Sequence, residues 1–593
     1  MSRRVKTVPK RIGHGCCVIL AGALIVSLFF SLPLPLHADN GRLLVVCPQG
    51  CPYSSIGAAL AQANPGDTVQ VGPGIYPESI TMRPGVVIRG QGNNASIVTG
   101  GDRDTVVRAY GAAIDRSAVL EGLTIIAGRA FTGGGIEIRG GASPTIRNNL
   151  ITANSAGPTQ SYGGGIFVSG GAPLITANVF SGNRSSYGGG AIAIWDDSRA
   201  VVSDNYFECN RADYYGGAIN VTRSAPTITG NTIISGTAYN GGAVDMSQSA
   251  GEFENNILRG NLANLHGGGL YLRDGSSPSI FANTFMSNTA YYYGGGLYMD
   301  RSSASVSGNS FQYNIADSGG GIYVDRSPAM IARNSILFND ASYHGGGIHV
   351  HGSAAVIDNN NINYNTSIVG GGGLGIDGHA MPLVVNNTIA GNAVGVQGGA
   401  VYIEGAAPNL INNMIARNSS SNIGGGIYVD NATPLIRNNT IIDNGTAGNG
   451  EGIYLSAQAF PTITNNIIVG NGYGIFSVTN YSGSGLRPVV INNNSWNNRS
   501  GDFVGMPSAN NLSADPLFVR GRDGAYYLSQ RAAGQSVNSP AVDAGTGSAT
   551  DLGLANRTTA VRDFPDAGTV DLGYHYRALF YRSFIPIIVT DRP

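Results

Sequence analysis

Gly-Gly-Gly-Ile-Tyr-Val-Asp, at residues 319–325, has variants that recur along most of the chain. Successive copies recur with a period of about 26 residues. A period in this range predicts a solenoid, in which each repeat buries its apolar face by stacking on its neighbours. The apolar residues that follow the glycines are Ile136, Ile166, Ile192, Ile219, Val244, Leu270, Leu297, Ile322, Ile348, Leu374, Val401, Ile427, Ile453 and Ile475.

A second signature, apolar-x-x-Asn-x-apolar, follows each glycine stretch, as at residues 331–336. The alternation around it predicts short strands separated by Gly, Asn, Asp and Ser turns. Strands that recur at a fixed offset lie parallel, about 4.8 Å apart, so the turn asparagines are expected to stack into a ladder of amide hydrogen bonds. The asparagines of this signature are Asn149, Asn178, Asn205, Asn231, Asn256, Asn283, Asn309, Asn334, Asn360, Asn387, Asn413, Asn439, Asn466 and Asn494.

A further asparagine usually follows three residues after each signature, as at Asn183, Asn288, Asn314 and Asn339. No segment of the repeats has helical spacing. We therefore predict an all-β fold, a right-handed parallel β-helix of about 26 residues per rung, with an N-terminal cap and a non-repeat C-terminal region.

The repeats at residues 116–500 resemble the pectate-lyase-like β-helix superfamily. Gly-Gly-Ala-Ile at 216–219 and Phe-x-x-Asn at 207–210 also resemble repeats of polymorphic outer-membrane adhesins. The resemblance implies the fold but leaves the activity open, since this scaffold carries lyases, hydrolases, esterases, epimerases and adhesins.

Residues 1–38 have the features of an export signal. Basic residues precede an apolar run from Cys16 to Leu32, and two prolines follow it. This pattern predicts a signal peptide that is cleaved, and the alternative is an uncleaved N-terminal membrane anchor. Both place the remaining chain outside the cytoplasm, either secreted or at the cell surface.

Residues 39–115 are interpreted as an N-terminal cap with the first rungs. Cys47 and Cys51 are expected to form a disulfide in an oxidising compartment. Ser54 or Ser55 is expected to cap a short helix that runs to Ala63 and covers the exposed edge of the first rung. The segment at 66–78 also resembles the start of many secreted β-helix proteins.

Residues 501–593 lose the period. The segments 511–518, 539–545 and 571–576 resemble the choice-of-anchor region that follows β-helices in bacterial surface proteins. That resemblance implies attachment to the cell surface. The apolar segment 584–589 is too short to span a membrane and is interpreted as a closing strand or a sorting signal. Membrane contact is therefore expected only through the N-terminal segment or this C-terminal tail.

The amino-acid composition limits the classes of binding partner and of fold that can be expected. Without residues 1–38 the chain has 30 basic and 36 acidic residues, a net charge of about −6, so nucleic acid is not expected as a partner. Charged residues are 12% of the chain and 88 of 593 residues are glycine, which suits stacked tight turns and excludes a helical bundle.

Outward-facing side chains on the strand after the glycines form two predicted columns. Because Ile322 and Val324 point inward, Tyr323 and Asp325 point outward, and stacking repeats this pattern in every rung. An aromatic stripe beside an acidic stripe is the kind of surface that carries extended polysaccharide on this scaffold, so the expected partner is an extracellular polysaccharide or a cell-surface glycan. The predicted carbohydrate-binding residues are Trp195, Tyr271, Tyr298, Tyr323, Tyr402, Tyr428 and Tyr454.

The electrostatic repulsion between carboxylates on consecutive rungs must be offset. Asp377, Glu404 and Asp430 are expected about 5 Å apart, where they repel by about 1 kcal/mol in water. A hard cation such as Ca²⁺, a raised pKa or neighbouring arginines would relieve the repulsion. Arg301 and Arg326 directly follow Asp300 and Asp325, so at those two positions the compensation is expected to be local. The alternative is that Asp is simply favoured at a strand-to-turn junction, where it bonds backbone amides.

Histidines cluster on the same face. His349 and His351 share an outward face, and His344 precedes them, but two ligands make a poor transition-metal site without a third. His266 holds the register position of His344 three rungs away, about 14 Å by the rung spacing, and cannot share a metal with it.

The sequence contains candidate catalytic residues but no complete catalytic motif. The candidates are Asp300, Asp325, Asp377, Arg301 and Arg326, which would form the working face, from Asp300 to Asp430, of a polysaccharide lyase or glycoside hydrolase on an acidic glycan. A lysine-based lyase is excluded because the only lysines are Lys6 and Lys10.

We therefore expect an exported, cell-surface β-helix that binds polysaccharide or mediates adhesion. The lyase or hydrolase and a purely structural spacer are the alternatives.

Overall fold

The computed structural model describes residues 41–92, 94–446, 450–479, 487–506 and 510–578. The signal peptide or anchor predicted at 1–38 and the apolar segment 584–589 lie outside the described residues. Among the described residues, no helix has both the length and the apolar character needed to cross a membrane.

The chain winds into about seventeen turns of a right-handed parallel β-solenoid, which confirms the predicted fold. Each full turn contributes one strand to each of three long parallel sheets, here called sheets A, B and C, and most turns add a short strand to a fourth, sheet D. Along one turn the order is A, B, D, C. Adjacent turns pair in register, as Ile322 does with Leu297 and Ile348.

The strands of sheet A are Leu43–Val46, Thr68–Val71, Val87–Arg89, Val119–Glu121, Thr145–Arg147, Leu174–Thr176, Val201–Ser203, Thr227–Thr229, Glu252–Glu254, Ser279–Phe281, Ser305–Ser307, Met330–Ala332, Val356–Asp358, Leu383–Val385, Asn409–Ile411, Leu435–Arg437, Thr462–Thr464 and Val489–Ile491. The strands of sheet B are Gly74–Tyr76, Ser96–Thr99, Thr124–Ile126, Leu150–Thr152, Val179–Ser181, Tyr206–Glu208, Thr232–Ile234, Ile257–Arg259, Thr284–Met286, Ser310–Gln312, Ser335–Leu337, Asn361–Asn363, Thr388–Ala390, Met414–Ala416, Thr440–Ile442, Ile467–Val469 and Asn494–Trp496.

The strands of sheet C are Ile80–Thr81, Val107–Tyr110, Ile136–Arg139, Ile166–Ser169, Ile192–Trp195, Ile219–Thr222, Val244–Ser247, Leu270–Arg273, Leu297–Asp300, Ile322–Asp325, Ile348–His351, Leu374–Asp377, Val401–Glu404, Ile427–Asp430, Glu451–Leu455, Tyr473–Ser477 and Gly501–Val504. The strands of sheet D are Arg129–Ala130, Ser155–Ala156, Arg184–Ser185, Arg211–Ala212, Thr237–Asn240, Leu262–His266, Thr289–Ala290, Ile315–Ala316, Asp340–Ala341, Thr366–Ser367, Ala393–Val394, Ser419–Ser420 and Gly445–Thr446.

The corner between sheets A and B holds the predicted asparagine ladder. The Asn309 backbone N–H and side-chain amide both donate to Asn334 Oδ1, at 2.9 and 3.1 Å, and Asn334 Nδ2 donates to Asn360 Oδ1 at 3.0 Å and to the Val306 carbonyl at 2.9 Å. Every polar atom of the buried amide is therefore paired, as burial requires. The residue before each ladder asparagine adopts a left-handed conformation, which Asn, Asp and Gly tolerate best.

The last predicted position of the ladder, Asn494, is wrong by one residue. Asn466 Nδ2 donates to Asn493 Oδ1 at 2.9 Å, and Asn493 in turn donates to Asn511 Oδ1 at 3.0 Å. Asn511 belongs to the non-repeat region, so that region supplies the final step of the ladder. A second ladder turns the corner between sheets B and D, as Asn314 donates to Asn339 Oδ1 at 2.9 Å.

The glycine stretch is required by close approach between turns. Gly319 has φ +64°, and a side chain on it would place Cβ 2.5 Å from the Ile322 carbonyl oxygen. A Cβ on Gly320 would lie 2.5 Å from the Asp340 carbonyl oxygen of the next turn. These glycines let the chain fold sharply from sheet D back onto sheet C.

Both predicted features of the N-terminal cap are present. The helix Ile56–Gln62 is capped by Ser55, whose hydroxyl accepts from the Ala58 N–H, and Cys47 is disulfide-bonded to Cys51. Ile56, Ala59 and Leu60 are buried in the interior of the solenoid, so the helix closes the end of the apolar core.

The C-terminal region folds back on the outside of the late turns. Tyr527, Leu572 and Tyr576 form a second apolar cluster with side chains of sheet B, such as Met414 and Ile467. The docking is also polar, since outward-facing asparagines of late turns bond backbone groups of this region. The clearest of these pairs joins Asn412 to the N–H and C=O of His575, at 2.7 and 3.1 Å.

Removing one ladder amide in mid-solenoid is predicted to lower stability strongly. Asn334→Ala leaves the Asn309 N–H groups and the Val306 carbonyl without their partners, at about 1–3 kcal/mol for each buried group left unpaired. We expect the free energy of unfolding to fall by about 2–4 kcal/mol, measured by urea denaturation followed by circular dichroism.

Asn409→Ala is the matched control, because Asn409 is exposed on sheet A. A loss of the same size in both variants would contradict the structural role of the ladder.

Candidate functional site

The aromatic side chains in the outward-facing column of sheet C point away from the solenoid core, but a second layer of the chain covers them. Tyr271, Tyr298, Tyr323, Tyr402 and Tyr428 are all buried, and the most exposed of them, Tyr271, is only 8% accessible. The chain that precedes the glycines folds over them, so the Tyr293 ring lies 4.4 Å from Tyr323 and the His344 ring 4.7 Å from Tyr402. The prediction that these five rings form an open carbohydrate surface is therefore wrong. Tyr454 and Trp195 are half-buried.

The acidic column is largely paired with its own arginines. Arg301 donates to both oxygens of Asp300, at 2.8 and 3.0 Å, and Arg326 does the same to Asp325, at 2.7 and 3.0 Å. Both carboxylates are buried beneath guanidinium groups that face solvent. The expectation of local compensation at these two positions is confirmed, and neither aspartate is presented to a substrate.

The predicted metal group of Asp377, Glu404 and Asp430 is not assembled. Asp377 turns towards the histidines of the preceding turn, whereas Glu404 accepts from the Tyr402 hydroxyl at 2.8 Å and Asp430 accepts from the Ser456 hydroxyl. In the part of the chain that the structure describes, the group of three potential ligands is His344, His349 and Asp377. Calcium binding by the remaining neighbours, Glu404 and Asp430, stays a prediction.

The aromatic column is interrupted by short side chains at Ala193, Asn220 and Asp245, and a cavity of about 260 Å³ opens there. Five successive turns contribute to its walls, and its position follows from the missing rings. It is lined by Tyr162, Tyr187, Trp195, Tyr215, Asn220, Thr222, Arg223, Ser247, Gln248, Arg273 and Asp274.

A buried hydrogen-bonded chain forms the floor of this cavity. The Trp195 indole N–H donates to Asn220 Oδ1 at 3.2 Å, Asn220 donates to Asp245 Oδ1 at 2.8 Å, and Arg273 donates to Asp245 Oδ2 at 3.1 Å. Burial raises the pKa of Asp245 to about 6, although Arg273 and Asn220 oppose the shift. The chain holds the indole in place against the edge of the Tyr162 ring, 4.3 Å away.

Exposed tyrosines extend from this cavity along the turn between sheets D and C. We call them the turn row. Tyr187 lies 5.2 Å from Tyr214, which lies 6.4 Å from Tyr239. The row covers about six rung steps, or about 29 Å by the rung spacing. Its aromatic members are Tyr187, Tyr214, Tyr239, Tyr292 and Tyr343, of which the last four are exposed.

A separate exposed stack lies on the corner between sheets B and D. The Phe338 ring stacks between Tyr313 and Tyr364, at 5.3 Å from each. Neither exposed row was predicted from the sequence, because both lie outside the strand that follows the glycines. The sequence does contain a pattern that marks these rows. Tyrosines recur just before the glycine stretch, and aromatic residues recur just before the asparagine of the ladder between sheets B and D.

Another cavity, of about 570 Å³, lies where the C-terminal region docks on sheet B. Its walls include Met414, Tyr526, Tyr574 and Arg522. The Arg522 guanidinium is paired with Asp523 and Asp563, at 2.5 and 2.7 Å. The cavity thus follows the seam between two packed parts of the chain.

Parallel in-register sheets, paired amide ladders and a covered apolar end define a right-handed β-helix. A family model for a right-handed β-helix region matches residues 84–241, 159–311, 234–341 and 320–495, and the chain belongs to that family. The search among curated proteins gave no match. Matching solved structures include the A-module of Azotobacter vinelandii mannuronan C-5 epimerase AlgE6, with 15% identity, 78% of this chain and 94% of that chain covered, and a TM-score of 0.15.

The covered position of the aromatic column predicts a structural phenotype for its members. Tyr298→Ala removes a ring packed against Tyr271 and His266. Loss of a large buried side chain costs about 3–5 kcal/mol, and we expect a fall of that size in the free energy of unfolding, measured by urea denaturation.

Tyr343→Ala, in the exposed turn row, is expected to cost about 1 kcal/mol or less. Equal losses in the two variants would show that the column is not covered.

Proposed function

We propose that this protein is an exported, cell-surface β-helix that binds an extended polysaccharide at the Trp195 cavity and along the turn row. The single observation that carries the proposal is the cavity itself, in which a half-buried tryptophan and three tyrosines surround a small set of fixed polar groups. Binding sites for small polar ligands typically combine apolar walls with a few placed polar groups.

Sugar rings suit such walls because they have apolar C–H faces and a rim of hydroxyl groups. The rings of Trp195, Tyr187 and Tyr215 offer flat surfaces for the C–H faces. Asn220, Thr222 and Ser247 offer donors and acceptors for the hydroxyls. Each aromatic residue is amphipathic, so the walls remain compatible with solvent when the cavity is empty.

The charge balance of the cavity favours a neutral glycan over a polyuronate. Arg273 is paired with Asp245 and Asp274, at 3.1 and 2.8 Å, and Arg223 is paired with Asp196 at 2.6 Å. Neither arginine is therefore left to neutralise a row of uronate carboxylates.

The turn row gives the site its length. Tyr187 belongs to both the cavity and the row, so a chain seated in the cavity continues over Tyr214 and Tyr239. The rung spacing of about 4.8 Å is comparable with one sugar unit of an extended chain, which allows successive units to meet successive turns.

Export and surface attachment rest on the sequence of residues 1–38 and on the resemblance of residues 501–593 to choice-of-anchor regions.

The lyase or hydrolase alternative gains no supporting observation, because its candidate residues are bound to one another in the pairs Asp300 with Arg301 and Asp325 with Arg326. A spacer would need neither the cavity nor the turn row.

The fluorescence of Trp195 provides the test. In a Trp496→Phe background, emission reports Trp195 alone, since the chain has two tryptophans. Titration with a panel of neutral and acidic polysaccharides is expected to give a saturable change with at least one neutral polysaccharide, without release of unsaturated or reducing ends.

Tyr187→Ala is expected to weaken that binding at least tenfold, because it removes a wall shared by the cavity and the turn row. Tyr364→Ala removes an exposed ring from the distant corner stack and is expected to leave the affinity unchanged. No saturable change with any polysaccharide, or the same loss in both variants, would overturn the proposal.

A further inference from the structure

A second interruption of the aromatic column lies at Gly375, and histidines converge on it. His344 and His349 come from one turn, and Asp377 comes from the next. His349 Nε2 lies 3.3 Å from Asp377 Oδ1, and His344 Nδ1 lies 3.7 Å from Asp377 Oδ2. The ligand atoms of these three residues all lie within 4.8 Å of one another.

The glycines of the next turn make the room for this group. A Cβ at Gly375 would lie 2.8 Å from His349 Nδ1, and a Cβ at Gly370 would lie 3.0 Å from His344 Cδ2. Tyr323, two turns before, and Tyr402, one turn after, hold the register position of Gly375. The site therefore exists only where the tyrosine ring is missing.

The imidazoles of this group converge on one carboxylate. Asp377 is approached by three of them, with His351 Nδ1 closest at 2.7 Å. His344 and His349 are only 3% and 2% exposed, and each turns one ring nitrogen towards Asp377. His344 Nδ1 lies 3.7 Å from Asp377 Oδ2, beyond hydrogen-bonding distance, and a cation between these two atoms would bind both.

We propose that His344 Nδ1, His349 Nε2 and the Asp377 carboxylate bind one divalent transition metal ion such as Zn²⁺. Zinc bonds of about 2.0–2.1 Å in tetrahedral geometry place neighbouring ligand atoms about 3.3 Å apart. The observed separations, 3.3 Å from His349 to Asp377 and 3.7 Å from His344 to Asp377, are close to that value.

The surroundings of the three ligands complete the site. His351, at the exposed rim, orients the carboxylate through its hydrogen bond, as outer-shell partners of metal ligands do. Three protein ligands leave a fourth position for water or another ligand.

Two imidazole ligands distinguish this site from a calcium site. Calcium takes six to eight oxygen ligands, whereas imidazole favours zinc, copper, nickel and iron. The site is also separate from the Trp195 cavity, since six rung steps, or about 29 Å, lie between Trp195 and His349. Failure of metal binding and failure of glycan binding are therefore distinguishable.

The test is metal binding by the purified full-length chain without an affinity tag. Titration with Zn²⁺ by isothermal calorimetry is expected to show one strong site per chain, and Co²⁺ is expected to give visible d–d absorption of a low-symmetry site. A tenfold excess of Ca²⁺ is expected not to displace either ion.

His344→Gln and His349→Gln are each expected to weaken Zn²⁺ binding at least tenfold. His266→Gln is the matched control, because His266 is also partly buried, stacks on Tyr293 at 5.1 Å and has an unpartnered Nδ1. Circular dichroism spectra of all variants check that the fold is kept. His351→Gln, at the exposed rim, gives a second measurement of Zn²⁺ affinity in a variant with little risk to the fold.

Absence of a strong Zn²⁺ site in the native chain would overturn the proposal. So would equal affinity in the native chain and the two ligand variants, or displacement by calcium.

Discussion

A buried asparagine amide must have partners for its N–H groups and its carbonyl, and in this protein the partners are the amides of the turns above and below. Asn334 meets that requirement only if Asn309 and Asn360 lie in register with it. A slip by one residue would move Asn334 out of register with both of these partners. The ladder therefore fixes the register of all the sheets, and the tight glycine turns allow neighbouring turns to approach closely enough for the ladder to form.

In-register stacking turns every sequence position into a column, and both proposed binding sites lie where the aromatic column of sheet C is interrupted. Sheet C carries a nearly continuous column of aromatic rings beneath a second layer. At Asn220 and Asp245 the rings give way to short polar side chains, and a cavity opens beside Trp195. At Gly375 a ring is absent altogether, and two histidines and an aspartate meet in the space. The regular turns thus provide stability, and the interruptions of the column hold the two proposed binding sites.

The repeat period was sufficient to predict the fold and the first ladder. The capping helix and the Cys47–Cys51 disulfide were predicted from the local spacing of residues in the segment 39–115. The burial of Tyr298 and Tyr323 was not predictable in the same way. Alternation shows that a side chain leaves the core, but it does not show that the preceding segment, with His266 and Tyr293, folds over it. Asp377 was predicted to join other carboxylates for a related reason. The pattern identified its column but not the approach of His344 from the covering layer. The docking of the C-terminal region on Asn412 depends on a contact between residues 163 positions apart, which no repeat encodes.

The most direct test of this account is the chemical reactivity of its tyrosines in the native protein. Nitration with tetranitromethane, read by peptide mass spectrometry, compares covered and exposed rings in a single experiment. We expect Tyr214, Tyr343 and Tyr364 to react readily, and we expect the covered rings to be protected until the chain unfolds. The covered rings are Tyr271, Tyr298, Tyr323, Tyr402 and Tyr428. Comparable reaction rates in the two groups would mean that the aromatic column is open along its length, and that its interruptions have no special access to ligands.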